Sequence, residues 1–438
     1  MRHSIAAVPW TAGYLALVSL PLIVLLLPPT PPGLGLWWDL SMGLGFGALA
    51  VMGVQFGLTA RFKRASAPFG IDILYYFHRW VAIGGLGLAF AHFMVLRVTN
   101  PAALMPIMPP AAPWHMTAGR VALLLLFALV VTSLWRKQLR LEYDRWRIWH
   151  AAMAVGAVLF AVWHVAGTGY YSGSRMKMWT WIGYSAAWLM LIVYVRVVKP
   201  WLLLRRPYHV TDIRPEPGQA WTLTLEPDGH EGLRFLPGQF AWLSLGRSPF
   251  AAREHPFSFS SSAQQGPLEF TIKELGDFTR TVGATPIGTV AYVDGPFGSF
   301  TPDRHPSADS FLMVAGGVGI APMMSMLRTF ADRGERRRVT VICANDRVQD
   351  AIFAAEMEEL RPRLDLHVVH VIREPAPDWT GETGLVTIDV LRRALPVEST
   401  RLVCFLCGPE AMTDAVQRDL RTLGVPLRRI HFELFDMV

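Results

Sequence analysis

Six long apolar runs fill the first 198 positions of the chain: Trp10–Leu27, Leu40–Ala60, Ile71–Leu96, Ala118–Trp135, Ile148–Ala166 and Trp179–Val198. Each approaches or exceeds the length that a hydrocarbon core of about 30 Å demands of a helix. The first run follows Met1-Arg2-His3 as a signal peptide would. No small-residue cleavage site closes it, so it reads as a span. Near Trp201 the texture changes to short strand-like runs, such as Ala220–Leu225 and Phe240–Leu245, parted by Pro237-Gly238, Gly266-Pro267 and Gly295-Pro296. From about Ser310 strands alternate with helical segments: Phe311–Ala315, Ala321–Arg333, Arg338–Ala344 and Asp350–Glu359. The pattern predicts a six-helix transmembrane bundle, then a β-rich domain, then an α/β domain with a parallel sheet. There are no internal repeats and no low-complexity segments.

Composition agrees with that division. Of 438 residues, 52% are hydrophobic and 17% charged, too oily for an ordinary soluble enzyme. The net charge of +7 does not point to nucleic acid, because no basic stripe is interleaved with aromatics. The charge sits in alternate loops instead. Arg61, Lys63 and Arg64 follow the second run; Arg136, Lys137, Arg140, Arg145 and Arg147 follow the fourth; Lys199, Arg205 and Arg206 follow the sixth. Pro28–Asp39 and Val98–Gly119 carry no Lys or Arg, and the loop after the fifth run has only Arg175 and Lys177. The positive-inside rule then places both termini in the cytoplasm, on a multi-pass protein of the plasma membrane. Three cysteines, Cys343, Cys404 and Cys407, are too few for a disulfide scaffold or a four-thiolate iron–sulfur cluster.

The chemistry of the spans lies in four histidines. His78 and His92 share the third span, and His150 and His164 the fifth, with the same separation of fourteen positions. At 3.6 residues per turn that step falls about 40° short of whole turns and rises about 21 Å. Each pair therefore lines one helix face, with one member toward each side of the bilayer. The two spans run in the same direction, so His78 meets His150 at one depth and His92 meets His164 at the other. A haem iron accepts one His on each axial face, so the pattern offers two stacked b-type haems. Copper or non-haem iron prefers compact clusters. Arg79, Arg145 and Arg147 on the inner side, and Arg97 and Arg120 on the outer, are candidate partners for propionates.

Four segments carry the chemistry of the second half. In Arg253-Glu254-His255-Pro256-Phe257-Ser258, His255 can reach a phosphate, Phe257 can lie on an isoalloxazine and Ser258 can bond near its N5. Lys273-Glu274-Leu275-Gly276-Asp277-Phe278-Thr279 reads as a helix opening, whose N–H groups and Thr279 hydroxyl suit a pyrophosphate. Gly316-Gly317-Val318-Gly319-Ile320-Ala321-Pro322 sits between a strand and a helix, as a phosphate-cradling turn does, with Pro322 tolerated in the first turn. Cys407-Gly408-Pro409 follows a strand, where a small polarizable thiol can sit beside a nicotinamide. Cys404 and Cys407, three apart on a strand, should face opposite ways and so form no redox pair.

With H-P-F-S, G-x-F-T, G-P-F-G, G-G-x-G-I-A-P and C-G-P in order, residues from about 205 onward resemble the ferredoxin–NADP reductase fold. The first half resembles the ferric-reductase transmembrane domain. Together they resemble a prokaryotic member of the NADPH oxidase and ferric reductase superfamily. The resemblance implies a six-span haem-binding domain over 1–204, an FAD-binding β-barrel over 205–304 and an NAD(P)-binding α/β domain over 305–438. It implies that His255, Pro256, Phe257, Ser258, Lys273, Gly276 and Thr279 hold FAD. It assigns Gly316, Gly317, Gly319, Pro322, Gly408 and Pro409 to the nucleotide, with Cys407 and the C-terminal aromatic Phe435 framing the site of hydride transfer. One position departs: animal-type oxidases carry a polar His one turn beyond the outer ligand of the third span, where this chain has Leu96.

The expected activity is electron transfer from cytoplasmic NAD(P)H through FAD and two b haems (iron ligands His78, His92, His150 and His164) to an outer acceptor. Oxygen, giving superoxide, is the first acceptor considered, and ferric chelate the alternative. A reading from another class is a non-catalytic cytochrome b-type anchor or channel with a nucleotide-sensing domain. After the strand ending at Ala344, Arg347 suits a 2′-phosphate and Asp346 a ribose hydroxyl, which favours NADPH or mixed use with NADH. No obligate protein partner is evident beyond lipid, and with no EF-hand loop, calcium control is not expected.

Overall fold

The computed structural model describes residues 2–60, 71–106, 112–251, 253–264, 266–395 and 400–433. Arg61, Lys63, Arg64 and Phe435 lie outside the described residues. The chain divides into two compact units, residues 1–200 and 201–438.

The first unit is helical. Its helices are α1 (Arg2–Leu26), α2 (Leu36–Thr59), α3 (Ile71–Thr99), α4 (Trp114–Leu134), α5 (Tyr143–Thr168) and α6 (Arg175–Val193). All six are long and apolar enough to cross a membrane. Several start ahead of their apolar cores, because a helix can run on beyond the apolar stretch, with polar residues at its ends where the terminal backbone groups find partners outside the hydrocarbon. A π-helical turn, Tyr194–Val198, continues α6 into α7 (Lys199–Leu204). Close packing depends on small residues and aromatics. The Tyr184 hydroxyl donates to the Ala50 carbonyl at 2.7 Å, and Trp188 lies against Gly53, tying α6 to α2. Lys177, read in the sequence as a loop charge, is instead buried within α6. Its ammonium donates to the carbonyls of Leu25 (2.7 Å) and Pro29 (2.9 Å). It thus satisfies acceptors at the end of α1 that have no intrahelical partner.

The second unit opens with strands β1 (Tyr208–Glu216), β2 (Ala220–Pro227), β3 (Phe240–Leu245), β4 (His255–Ser258), β5 (Leu268–Lys273) and β6 (Val290–Phe297). They form one antiparallel sheet in the order β4-β3-β6-β1-β2-β5. A bridge between Phe259 and Phe270 brings its edges together, so the sheet curls into a half-barrel. Inward residues such as Val210, Leu223, Leu243, Phe270 and Ile272 fill it.

A three-layer α/β domain follows. Its strands are β7 (Ser310–Gly316), β8 (Arg338–Asn345), β9 (Leu366–Ile372), β10 (Glu382–Thr383), β11 (Val403–Cys407) and β12 (Ile430–Glu433), all parallel, in the order β10-β9-β8-β7-β11-β12. Helices α8 (Ile320–Arg333) and α9 (Ala354–Leu360) pack on one face, α10 (Ile388–Ala394) and α11 (Glu410–Thr422) on the other. Strands covered on both faces read as continuous apolar runs, as β7 does. The helix expected over Asp350–Glu359 starts only at Ala354, because Phe353 adopts φ +61 and ends the preceding turn. Arg328 of α8 bridges the two domains of this unit. Its guanidinium reaches Glu269 of β5 at 2.5 Å and Glu356 of α9 at 2.6 Å. Removing one partner of such a shielded group costs on the order of 3–5 kcal/mol.

Candidate functional site

The bundle brings the four histidines together in the expected pairs. The rings of His78 and His150 have centroids 6.4 Å apart, and those of His92 and His164 6.5 Å. Two imidazoles bonded to one metal at about 2 Å would hold their centroids roughly 6 Å apart. Among the described residues no group of three or more His, Cys, Asp or Glu gathers as a compact metal cluster would need.

The second ring nitrogen of each histidine decides its tautomer. His92 Nδ1 lies 2.7 Å from the Ser41 carbonyl, and His164 Nδ1 lies 3.0 Å from the His115 carbonyl. A carbonyl only accepts, so both Nδ1 atoms carry the proton. The Ser133 hydroxyl donates to Leu129 at 2.6 Å and therefore accepts from His150 Nδ1 at 3.2 Å. His78 Nδ1 faces Gln55 Oε1 at 3.2 Å. All four Nε2 atoms are thus left with a lone pair, and no hydrogen bond from the described residues engages them. An Nδ1–H held by an acceptor and a basic Nε2 is the state a metal-bound imidazole needs. The donor set therefore fits two b-type haems. Gly45 lets α2 approach α3 and Gly119 lets α4 approach α5: a Cβ on Gly45 would come 3.1 Å from His92 Nδ1, and one on Gly119 2.8 Å from His164 Nδ1. Trp146, one turn before His150, packs on its ring at 4.9 Å. None of these supporting residues was found from the sequence, since each acts on a neighbour through space or on a face the His spacing does not reveal. Of the candidate propionate cations, Arg145 turns to Glu142 at 2.9 Å, and Arg120 holds the Leu104 and Met105 carbonyls.

In the half-barrel, β4 sets His255 and Phe257 on one face and Pro256 and Ser258 on the other, by strand alternation. His255 stacks on Phe278 at 4.1 Å, with Phe257 parallel to the same ring at 6.0 Å. Phe278 lies in the segment Lys273–Thr279, and only the fold brings its ring onto β4. Ser258 is buried, and its Oγ has no hydrogen-bond partner among the described residues. A buried hydroxyl left unpaired is costly, which fits a site that receives a polar ligand atom. Thr279 opens a 3-10 turn, Thr279–Ala284, rather than an α-helix. Its hydroxyl accepts from the N–H groups of Leu275 and Gly276, both at 2.8 Å, so it organises the loop that precedes it. Lys273, at the end of β5, reaches toward the glycine turn: a Cβ on Gly317 would lie 3.9 Å from its Nζ.

The glycine turn and the Cys407 turn sit side by side at the carboxyl ends of β7 and β11. The chain runs outward from β7 through β8, β9 and β10, then returns to β11 on the other side. The crevice between them is a topological switch point, where open α/β sheets bind ligands. Gly319 must be glycine, since a Cβ would stand 2.2 Å from the Cys407 carbonyl. Gly316 touches Pro409 and Gly408, and Gly317 adopts φ +53. Pro322 falls in the first turn of α8. Cys407 and Cys404 lie in cores on opposite faces of the sheet, and all three thiols are free. Burial, helped by the charge of Glu433 on the paired strand, pushes the Cys407 thiol well up, so it keeps its proton. Glu433 also approaches the barrel. A Cβ on Gly298 would lie 3.4 Å from its Oε1 and 3.2 Å from the ring of Phe240, which pairs with Ser258. The Ser258 side and the Cys407 side of the site thus converge through Glu433, a residue the sequence reading left unassigned. Arg347 and Asp346 are both engaged: Arg347 pairs with Glu374 at 3.2 Å, and Asp346 with Arg373 at 3.0 Å.

Comparison with known proteins agrees with both halves. Residues 44–161, which include His78, His92 and His150 and end three residues before His164, match the ferric reductase like transmembrane component. Residues 313–418, from β7 past the Cys407 turn, match the oxidoreductase NAD-binding domain. The chain joins a ferric-reductase-like transmembrane component to a ferredoxin–NADP reductase-like module. It is a multi-pass membrane oxidoreductase, and its reductase module is of the kind that binds FAD and NAD(P)H. Over 202 residues it is 28% identical to NADH-cytochrome b5 reductase 1 of Candida glabrata, covering 44% of this chain and 70% of that one. Over 224 residues it is 29% identical to the glycine betaine monooxygenase reductase subunit of Chromohalobacter salexigens, covering 50% and 56%. The chain spans little more than half to about two thirds of the length of most such relatives. The flavohemoglobin of Malassezia yamatoensis is similar in structure, with a TM-score of 0.50 at 15% identity over 92% of this chain and all of that one. At that identity the likeness speaks of fold alone.

Proposed function

We propose that this ferric-reductase-like oxidoreductase moves electrons from cytoplasmic NAD(P)H across the plasma membrane to an acceptor on the far side. The observation that carries the proposal is the two imidazole pairs, at two depths of one bundle, each ring with Nδ1 tied down and Nε2 left without a hydrogen bond from the described residues. With the groups in place, FAD would accept hydride from the nicotinamide and two b-type haems would pass single electrons onward. His78 and His150 would hold the inner haem, His92 and His164 the outer. The cationic loop between α4 and α5 supports the cytoplasmic placement of the His78 end.

The remaining residues bind and orient. Ser258 offers its hydroxyl to the flavin, while His255, Pro256, Phe257, Lys273, Gly276 and Thr279 shape its cradle. Gly316, Gly317 and Gly319 bring backbone N–H groups to the nucleotide phosphates, and Pro322, which has no N–H, sits in the first turn of the helix that starts beside them. Gly408 and Pro409 complete the crevice. Cys407 presents a neutral S–H to the nicotinamide. Phe435 is proposed to cover the flavin face, and Arg347 to meet a 2′-phosphate once it leaves Glu374.

Oxygen is the proposed acceptor. Ferric chelate is the second reading, favoured by Leu96: this residue is buried one turn beyond His92 and brings no polar group to the outer site. His115 lends its carbonyl to His164 and packs its side chain on Gly167. Anaerobic NADPH added to membranes should reduce both flavin and haem, and absence of both signals would contradict the proposal. Superoxide-dependent cytochrome c reduction, set against ferrozine-trapped Fe²⁺, separates the acceptors. A signal with iron alone assigns ferric chelate.

A further inference from the structure

Gln55 lies in the apolar α2, where a buried amide is costly unless both of its ends are satisfied. Both ends are used on one residue. Gln55 Nε2 donates to the His78 backbone carbonyl at 3.0 Å, and Gln55 Oε1 lies 3.2 Å from His78 Nδ1. The carbonyl can only accept, so the amide has a single sensible orientation, and its oxygen must draw the proton on His78 Nδ1. The amide therefore fixes the ring in both tautomer and position.

The other three histidines are held differently. His92 and His164 lean on the backbone carbonyls of Ser41 and His115, and His150 on the hydroxyl of Ser133. Ser41 also touches His92 twice with its side chain, its hydroxyl donating to the His92 carbonyl at 2.9 Å and lying 3.0 Å from Nδ1. The nearer acceptor for that proton is the Ser41 backbone carbonyl, which no substitution removes. At His78 the acceptor is the side-chain amide of Gln55 itself, which substitution can change. An acceptor that draws harder on Nδ1–H makes Nε2 more electron-rich, and an electron-rich axial ligand favours ferric over ferrous iron.

We propose that Gln55 sets the reduction potential of the haem held by His78 and His150, as a positioning residue acting through His78. The inference rests on the two-haem reading above. Gln55→Glu keeps the size of the side chain and puts a carboxylate against Nδ1–H, so the midpoint of that haem falls. Gln55→Leu removes the acceptor, so the midpoint rises. Each change should alter the reduction equilibrium at least tenfold, about 59 mV for one electron. The midpoint of the His92–His164 haem should move less in both variants.

The test is a redox titration of the full-length protein in lipid nanodiscs, following the b-type bands. It is repeated in the His92→Leu background, where the His78–His150 haem is read alone. Opposite shifts in Gln55→Glu and Gln55→Leu are the expected result. If Gln55→Leu loses haem, the isosteric Gln55→Glu carries the test through its downward shift. Midpoints unchanged in Gln55→Glu, with both haems bound, would overturn this inference and leave the two-haem reading standing. A wild-type protein without b-type bands would overturn both.

Discussion

Gly119 and His164 meet across two helices with no space for another atom: a Cβ at position 119 would stand 2.8 Å from His164 Nδ1. That separation is shorter than a carbon and a ring nitrogen tolerate, and the ring is also pinned by the His115 carbonyl. Gly119→Ala should therefore displace His164 and cost the protein about half its haem. Gly183→Ala, where the new methyl meets nothing within 4 Å, should keep the full amount. The haem-to-protein ratio of the two purified variants checks the contrast. Equal haem content would remove Gly119 from the account of the outer site.

Ser258 should behave differently with and without flavin. Its hydroxyl is buried and unpaired among the described residues, so Ser258→Ala should leave the melting temperature of the flavin-free protein unchanged or slightly raised. FAD affinity should fall about tenfold, the weight of one hydrogen bond of roughly 1–1.5 kcal/mol. Thermal melts and flavin titration of the same preparations give both numbers. A fall in stability with no change in affinity would assign the hydroxyl to packing.

Nucleotide preference should answer to Glu374. Its pair with Arg347 is more than half exposed on both sides, so it holds Arg347 weakly and can yield to a phosphate. Glu374→Gln should lower KM for NADPH several-fold and leave KM for NADH unchanged. Arg347→Ala should raise KM for NADPH about tenfold. Steady-state kinetics with both nucleotides decides the matter. Parallel changes for the two would show that Arg347 does not read the 2′-phosphate.

The thiols set a limit at high pH. Burial pushes Cys343 and Cys404 up to about 12, and Cys407 is pushed well up too. A raised thiol pKa means the folded state holds its proton more tightly than the unfolded chain does. The associated stability is complete below the ordinary thiol value of about 9 and is lost as pH rises through about 12. At pH 8 iodoacetamide should therefore modify none of the three in the folded protein and all three in guanidinium. Mass spectrometry counts the adducts, and rapid labelling of Cys407 in the folded state would refute its burial.

Local periodicity made the architecture legible. The spacing of His78 with His92, and of His150 with His164, survives translation into structure because a helix fixes the face of every residue along it. The strand–turn–helix at Gly316–Pro322 was legible for the same reason. Contacts between elements distant in sequence were not. Gln55, Ser41 and Ser133 lie on other helices than the histidines they hold, and nothing in their own neighbourhoods marks them. Glu374 follows β9 and meets Arg347 after β8 only because the two strands pair. Lys177 looked like a loop charge, since its acceptors, Leu25 and Pro29, lie at and just past the end of α1, at the other end of the bundle's sequence. Thr279 was read as a pyrophosphate donor, and its local hydrogen bonds appear only once the loop is folded.

The central claim is that His78 with His150, and His92 with His164, hold two b-type haems. The most direct measurement is the dithionite-reduced minus oxidised spectrum of the purified full-length protein, calibrated for haem per chain. The account predicts b-type bands, two haems per chain, and loss of one haem on His→Leu at either member of a pair. A spectrum without b-type bands, or haem content unaffected by all four substitutions, would contradict it.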